Sequence, residues 1–196
     1  MNEFKEIYEE MKQHGMPVPQ ERVQISITGA KTILENCFKY FLSFEENTVF
    51  QWQNEYEEVA MWLENNQGRG LFMCGDCGRG KSMLLRYVIP AIMLKYTKKV
   101  VSVYDVQQMN KRPDEVLSKH IIALDDIGTE EMSVQYGNKR NVFAEIVDSA
   151  EKYSKLLIIA SNMDGSTLES VYGTRVVERI IATTERIEFK GKSLRK

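Results

Sequence analysis

Gly75, Gly80, Lys81 and Ser82 stand in the spacing G-x-x-x-x-G-K-S, within the stretch LFMCGDCGRGKSML. Glycine permits positive φ and close approach of backbone to a ligand. Successive N–H groups of such a loop form an anion nest, and a following helix adds its N-terminal dipole. Lys81 would then reach the β- and γ-phosphates of a nucleotide, and Ser82 would ligate Mg²⁺. The rest of the loop, Asp76, Cys77, Gly78 and Arg79, with Met83 just beyond it, completes the candidate nucleotide contacts. The competing reading is a glycine-rich turn that fits by chance. The flanks favour the cradle, because RGLFMC reads as a strand and SMLLRYVIPAIMLKY as a long helix, giving the order strand, loop, helix.

A second carboxylate element lies downstream. Four apolar residues, Ile121 to Leu124, lead into Asp125 and Asp126. In phosphate-loop enzymes an acid at the end of a neighbouring strand holds Mg²⁺. Asp125 suits that place, and Asp126 would polarise an attacking water. The alternative is a strand that ends in a solvated turn. A further apolar run, LLIIASN, ends at Asn162. Its amide would lie near the γ-phosphate if this strand sits between the other two, an order typical of ATPases.

The elements that must position these residues follow from periodicity. Phe4, Ile7, Tyr8 and Met11 form a helical stripe closed by Gly15, Pro17 and Pro19. Ala30–Phe44 reads as a helix, and Tyr56, Val59, Ala60 and Leu63 mark another. After the loop helix come a strand, KKVVSVYDV, and a short connection, DVQQMNKRPDEVLSK. HIIALDDIG is a strand, NVFAEIVDSAEKYS a helix and KLLIIASN a strand. A helix or helix pair broken at Gly173 follows, and RIEFKG is a final strand. Continuously apolar strands alternating with helices predict a parallel sheet covered on both faces.

Composition is that of an ordinary globular chain: 196 residues, 43% hydrophobic, 28% charged, net charge −2. There is no global basic footprint for nucleic acid. No apolar run approaches transmembrane length, and the N-terminus lacks a signal-peptide core, so a cytoplasmic protein with no membrane role is expected. The cysteines are Cys37, Cys74 and Cys77. The C-x-x-C within the loop is a redox switch, half a zinc site, or two small residues in a tight turn. No second Cys or His pair completes a metal site, and the last reading is preferred.

Together, GDCGRGKS, IIALDDIGTE, IIASNMDGSTLESVYGTRVVERI and FKGKSLRK resemble the AAA+ ATPases of the bacterial DnaC/DnaI helicase-loader and IstB transposition-helper group. VQYGNKRNVFAEIV also resembles a loader segment, and the likeness covers about residues 68 to 196. It implies an α/β P-loop NTPase fold of the AAA+/ASCE type. Residues 1–48 would form a short helical N-terminal extension and 49–196 the ATPase domain, with no separate C-terminal lid. Gly75–Ser82 would be Walker A, Asp125 and Asp126 Walker B, and Asn162 sensor 1. Arg175 or Arg179 would be an arginine finger reaching a neighbour's nucleotide, and Arg195 would stand near a sensor 2 place. The alternative for each arginine is a solvated helix face or a pair with Glu178 or Glu185.

The resemblance implies ATP and Mg²⁺ as cofactors, a homo-oligomer in the ATP-bound state, and a replicative helicase or a transposase as partner. Single-stranded DNA would meet Lys111 and Arg112, or Lys139 and Arg140 beside Tyr136. Phe50 or Trp52 would flank adenine. Competing classes are a small-molecule or nucleotide kinase, with RPDEVLSKH as its lid, and a nucleotide-binding interaction module with little turnover. Asp126 is one methylene shorter than the commoner Glu, which favours the latter of these two. The N-terminal stretch is short for a full helicase-binding domain and carries no zinc-binding cysteines.

Overall fold

The computed structural model describes residues 2–45, 50–128 and 141–194. Helices α1 (Asn2–Gln13), α2 (Ala30–Leu42) and α3 (Asn54–Glu64) precede strand β1 (Gly70–Gly75). The loop helix follows as α4 (Lys81–Met83), a π turn (Leu84–Val88) and α5 (Ile89–Thr97). Pro90 has no N–H for the carbonyl of Arg86, and its ring crowds that carbonyl. The helix widens into the π turn there rather than breaking.

Next come β2 (Ser102–Asp105), α6 (Val106–Lys111), α7 (Pro113–Ser118) and β3 (Ile121–Ile127). The connection expected between β2 and β3 is thus two short helices, the first entered through a capping box between Asp105 and Gln108. The chain continues through α8 (Val142–Lys152), β4 (Leu156–Ser161), α9 (Gly165–Tyr172), α10 (Thr174–Thr183) and β5 (Thr184–Phe189). Asn141 caps α8 by accepting from Ala144 N at 3.0 Å. Asp164 caps α9 by accepting from Thr167 N at 2.8 Å. That backbone donor, helped by Ser166, pulls the Asp164 carboxyl down to about 2. Gly173, at φ 86°, separates α9 from α10, where the sequence placed the break.

All five strands are parallel, in the order β2-β3-β4-β1-β5. Alternate residues serve opposite faces. Leu71, Met73, Ala123, Ile158 and Ile187 pack with α2, α3 and α5 on one side. Phe72, Ile122, Leu124 and Ile159 pack with α6, α8 and α10 on the other. Helices on both faces leave β1, β3 and β4 no solvated side, which is why they read as apolar runs, whereas edge strand β5 alternates, with Arg186 and Glu188 exposed.

Packing does not divide at residue 48. Val23, Ile25, Ile27, Leu34 and Phe38 belong to the same core as β1. Fully buried Asn66 binds that segment from the turn before β1. Its Oδ1 accepts from Ile25 N at 2.8 Å, and its Nδ2 donates to Val23 O at 2.9 Å. Among the described helices α1 stands off, with Phe4 74% and Ile7 44% exposed. Among the described residues no helix is long and apolar enough to cross a membrane.

Gly70 leaves no room for a side chain beside β4. A Cβ there would lie 2.1 Å from Leu157 O on β4. Gly70→Ala is therefore expected to destabilise the protein by at least about 2 kcal/mol. Urea denaturation checks this, and an unchanged midpoint would show that β1 and β4 are not pressed together as described.

Candidate functional site

Parallel strands deliver their C-terminal ends to one edge, and β4 lies between β1 and β3. The loop after β1, Asp125 and Asp126 on β3, and Asn162 after β4 thus meet there. A cavity of about 600 Å³ opens at this edge. Its lining includes Cys77, Gly78, Arg79, Gly80, Lys81, Ser82 and Met83, with Asp126 and Asn162 facing them.

The loop geometry requires glycine at positions that include Gly75 and Gly80. Gly75 has φ 112°, and a Cβ there would meet Phe189 O at 2.3 Å. Gly80 has φ 90°, and a Cβ there would meet Tyr56 Oη at 2.6 Å. The loop is also pinned from outside. Asp76 N donates to Phe189 O at 2.8 Å, and Leu194 N donates to Gly78 O at 2.9 Å. The Tyr56 hydroxyl donates to Arg79 O at 3.0 Å, and burial pushes its pKa up to about 12.

Lys81 is buried, and its Nζ donates to the carbonyls of Gly75 (2.8 Å) and Asp76 (2.7 Å). Burial lowers its pKa from the usual lysine range. Its ammonium is thereby held across the mouth of the cradle by the loop it serves. Ser82 Oγ donates to Asp125 Oδ1 at 3.1 Å. A hydroxyl and a carboxylate this close suit Mg²⁺, which keeps several waters and takes only one or two protein ligands. Among the described residues no group of three or more His, Cys, Asp or Glu gathers as a dedicated metal centre.

Asp125 is fully buried, while Asp126 turns out of the strand at φ 55°. The β3–β4 register slips between Leu124 and Ile127. This bulge separates the two carboxylates: one faces Ser82, the other lines the cavity. Ser161 Oγ donates to Ile127 O at 2.6 Å and closes the bulge from β4.

Several expected contacts turn elsewhere. The Arg79 side chain leaves the cradle and pairs with buried Glu55 at 2.8 Å, also donating to Gln53 Oε1 at 2.8 Å. Asp76 accepts from Gly191 N at 2.8 Å through its carboxylate, so its contribution to the cradle is backbone. Phe50 lines the cavity, whereas Trp52 lines a separate one with Glu55, Glu58 and Lys190. The aromatic end is instead Phe38, Phe50, Tyr56 and Tyr87, with Phe38 and Tyr56 ring centroids 5.0 Å apart.

Arg175 and Arg179 do not line the cavity. Both pair with Asp148 on α8, and Arg179 also meets Glu151 at 2.7 Å. The partners are thus α8 carboxylates and not Glu178 or Glu185, which the alternative to a finger role names. Arg112 pairs with Glu115 at 3.5 Å. RPDEVLSKH is no lid over the cavity, because it forms α7 and Val116 is buried in the core. Cys74 is buried on β1, where Arg186 Nε donates to its sulfur at 3.2 Å, while Cys77 is exposed on the loop. Lys139, Arg140, Tyr136 and Arg195 lie outside the described residues.

Besides Phe38, Tyr56 and Tyr87, a charged residue of the site escaped the sequence reading. Arg86 Nε donates to Asp125 Oδ2 at 2.5 Å, and this bond raises the Arg86 pKa. Its position four residues after Ser82, on the same helix face, was the available signal.

No family model matches the sequence, and no curated protein matches it either. Solved structures do match. A DnaC helicase loader superposes with a TM-score of 0.60 at 19% identity, covering 78% of this chain and 99% of that one. DnaI gives 0.57 at 19%, covering 84% and 96%. The replication initiator DnaA bound to AMPPCP and single-stranded DNA gives 0.55 at 22%, covering 79% and 50%. At these identities the likeness is one of fold. The chain has the fold of those DnaC, DnaI and DnaA structures, a five-stranded parallel sheet with helices on both faces.

Proposed function

We propose that this protein binds and hydrolyses ATP with Mg²⁺ and works as a switch of the helicase-loader kind, placing a helicase or a transposase on DNA in the cytoplasm. The observation that carries this reading is the meeting of Lys81, Ser82, Asp125, Asp126 and Asn162 around one cavity at the strand ends. The fold shared with DnaC, DnaI and the AMPPCP- and single-stranded-DNA-bound DnaA supports it.

In this reading the backbone N–H groups of Gly78 to Ser82 hold the phosphates, and Lys81 exchanges its two carbonyl partners for β- and γ-phosphate oxygens. Ser82 and Asp125 hold Mg²⁺, which supplies neutralisation of the phosphate charge. Asp126 orients the attacking water, and Asn162 contacts the γ-phosphate. The base lies toward Phe38, Phe50, Tyr56 and Tyr87. Arg175 or Arg179 leaves its α8 carboxylates to serve a neighbouring subunit's nucleotide, so that ATP is sensed at a junction between copies. Single-stranded DNA is a candidate ligand of the assembled form.

A module with little turnover is the second reading, favoured by the shorter carboxylate at Asp126. Turnover measured with and without single-stranded DNA decides between them.

Lys81→Ala is expected to weaken ATP binding by about a hundredfold or more, through loss of the charge-assisted contacts at the phosphates. Calorimetry reads this, with circular dichroism as the check on folding. Unchanged affinity in a folded variant would end the cradle reading.

Asp126→Asn is expected to leave ATP bound while hydrolysis slows by about a hundredfold. Asp125→Asn should weaken the Mg²⁺-dependent part of binding. Parent-rate hydrolysis in both variants would remove the acid strand from the mechanism.

Replacing the finger arginine, Arg175 or Arg179, by Ala should lower stimulated hydrolysis by about a thousandfold with ATP affinity nearly intact. Mixing that variant with Lys81→Ala should restore part of the activity, since each supplies the half-site the other lacks. No rescue, with activity independent of protein concentration, would favour a monomeric kinase.

A further inference from the structure

Asp125 has no exposed surface, so its charge needs compensation at both oxygens. Oδ1 accepts from Ser82 Oγ and from Asp126 N, each at 3.1 Å. Oδ2 accepts from Arg86 Nε at 2.5 Å. The Arg86 side chain keeps only 35% of its surface and lines the same cavity as Lys81 and Ser82. It comes from the π turn created ahead of Pro90, one helical turn beyond Ser82. The buried carboxylate is therefore satisfied by a hydroxyl and a full positive charge, all supplied by the chain itself.

We propose that Arg86 competes with the divalent cation for Asp125. Both are positive, and both need the charge of a carboxylate whose two oxygens already carry donors. Binding of the cation beside Ser82 therefore requires Arg86 to loosen or leave Oδ2. The freed guanidinium lies in the cavity, where the phosphates of a nucleotide would receive it. A cation alone meets a site that is already neutralised. Cation and nucleotide together relieve the displaced arginine, so their binding is cooperative, and by linkage each tightens the other equally. This inference rests on the nucleotide reading and adds to it a device that keeps the site closed to the cation until nucleotide arrives.

The test measures thermal unfolding of the full chain across a Mg²⁺ titration without nucleotide, comparing the parent with Arg86→Gln. Glutamine keeps a donor and removes the charge. The Mg²⁺ concentration for half-maximal stabilisation is expected to fall by about tenfold or more, the scale of one charge-assisted hydrogen bond. Asp125→Asn should abolish the response in either background. If Arg86→Gln does not fold, Arg86→Lys is read in the same way, with a smaller shift expected. An unchanged or higher Mg²⁺ requirement, or no response in any of these proteins, overturns the proposal. Calorimetry of ADP in EDTA and in Mg²⁺ separates the two readings. ADP binding with no effect of Arg86 sinks only the competition, whereas no ADP binding under either condition sinks the nucleotide reading and this one with it.

Discussion

Five strands running the same way place all their C-terminal ends on one edge, and the whole candidate site depends on that constraint. A parallel sheet needs both faces covered, which fixes where the helices lie. It also leaves the strand ends as the one region where loops gather over a rigid base. With β4 between β1 and β3, the loop lysine, the aspartate pair and Asn162 converge from three separate stretches of the sequence.

A convergent edge is not yet a site, because a glycine-rich loop has to be held open. Here the holding comes from outside the loop. The buried Glu55–Arg79 pair ties it to α3, and Glu55 also accepts from Lys190 N at 3.1 Å. Segment 189–194 then lies along the loop through Phe189 O, Gly191 N and Leu194 N. A buried pair of this kind adds little net stability, but loss of one partner leaves an uncompensated charge, at about 3–5 kcal/mol. Its consequence is a single loop geometry, held from α3 and from segment 189–194.

The same logic accounts for the two neighbouring aspartates taking different places. The β-bulge rotates the chain between them, so that Asp125 turns inward to Ser82 and Arg86 while Asp126 lines the cavity. In a regular strand adjacent side chains would also face opposite ways, but across the two sides of the sheet. The left-handed turn at Asp126 keeps the second carboxylate at the strand end instead.

The strand–loop–helix unit, the apolar strands, the helix break at Gly173 and the identity of the loop lysine, serine and acid pair were all legible in the residues. These are local signals: periodicity, glycine spacing and a charge at the end of an apolar run. Tertiary structure alone decided the strand order, the inclusion of residues 23–42 in the main core and the outward turn of Arg79 to Glu55. It also decided the choice of Phe50 over Trp52 and the pairing of Arg86 with Asp125. Motif spacing locates a backbone, and a backbone loop can present a side chain to either side. Which side it takes depends on partners such as Glu55 and Lys192, which lie far away in the chain and become neighbours only once the sheet is assembled.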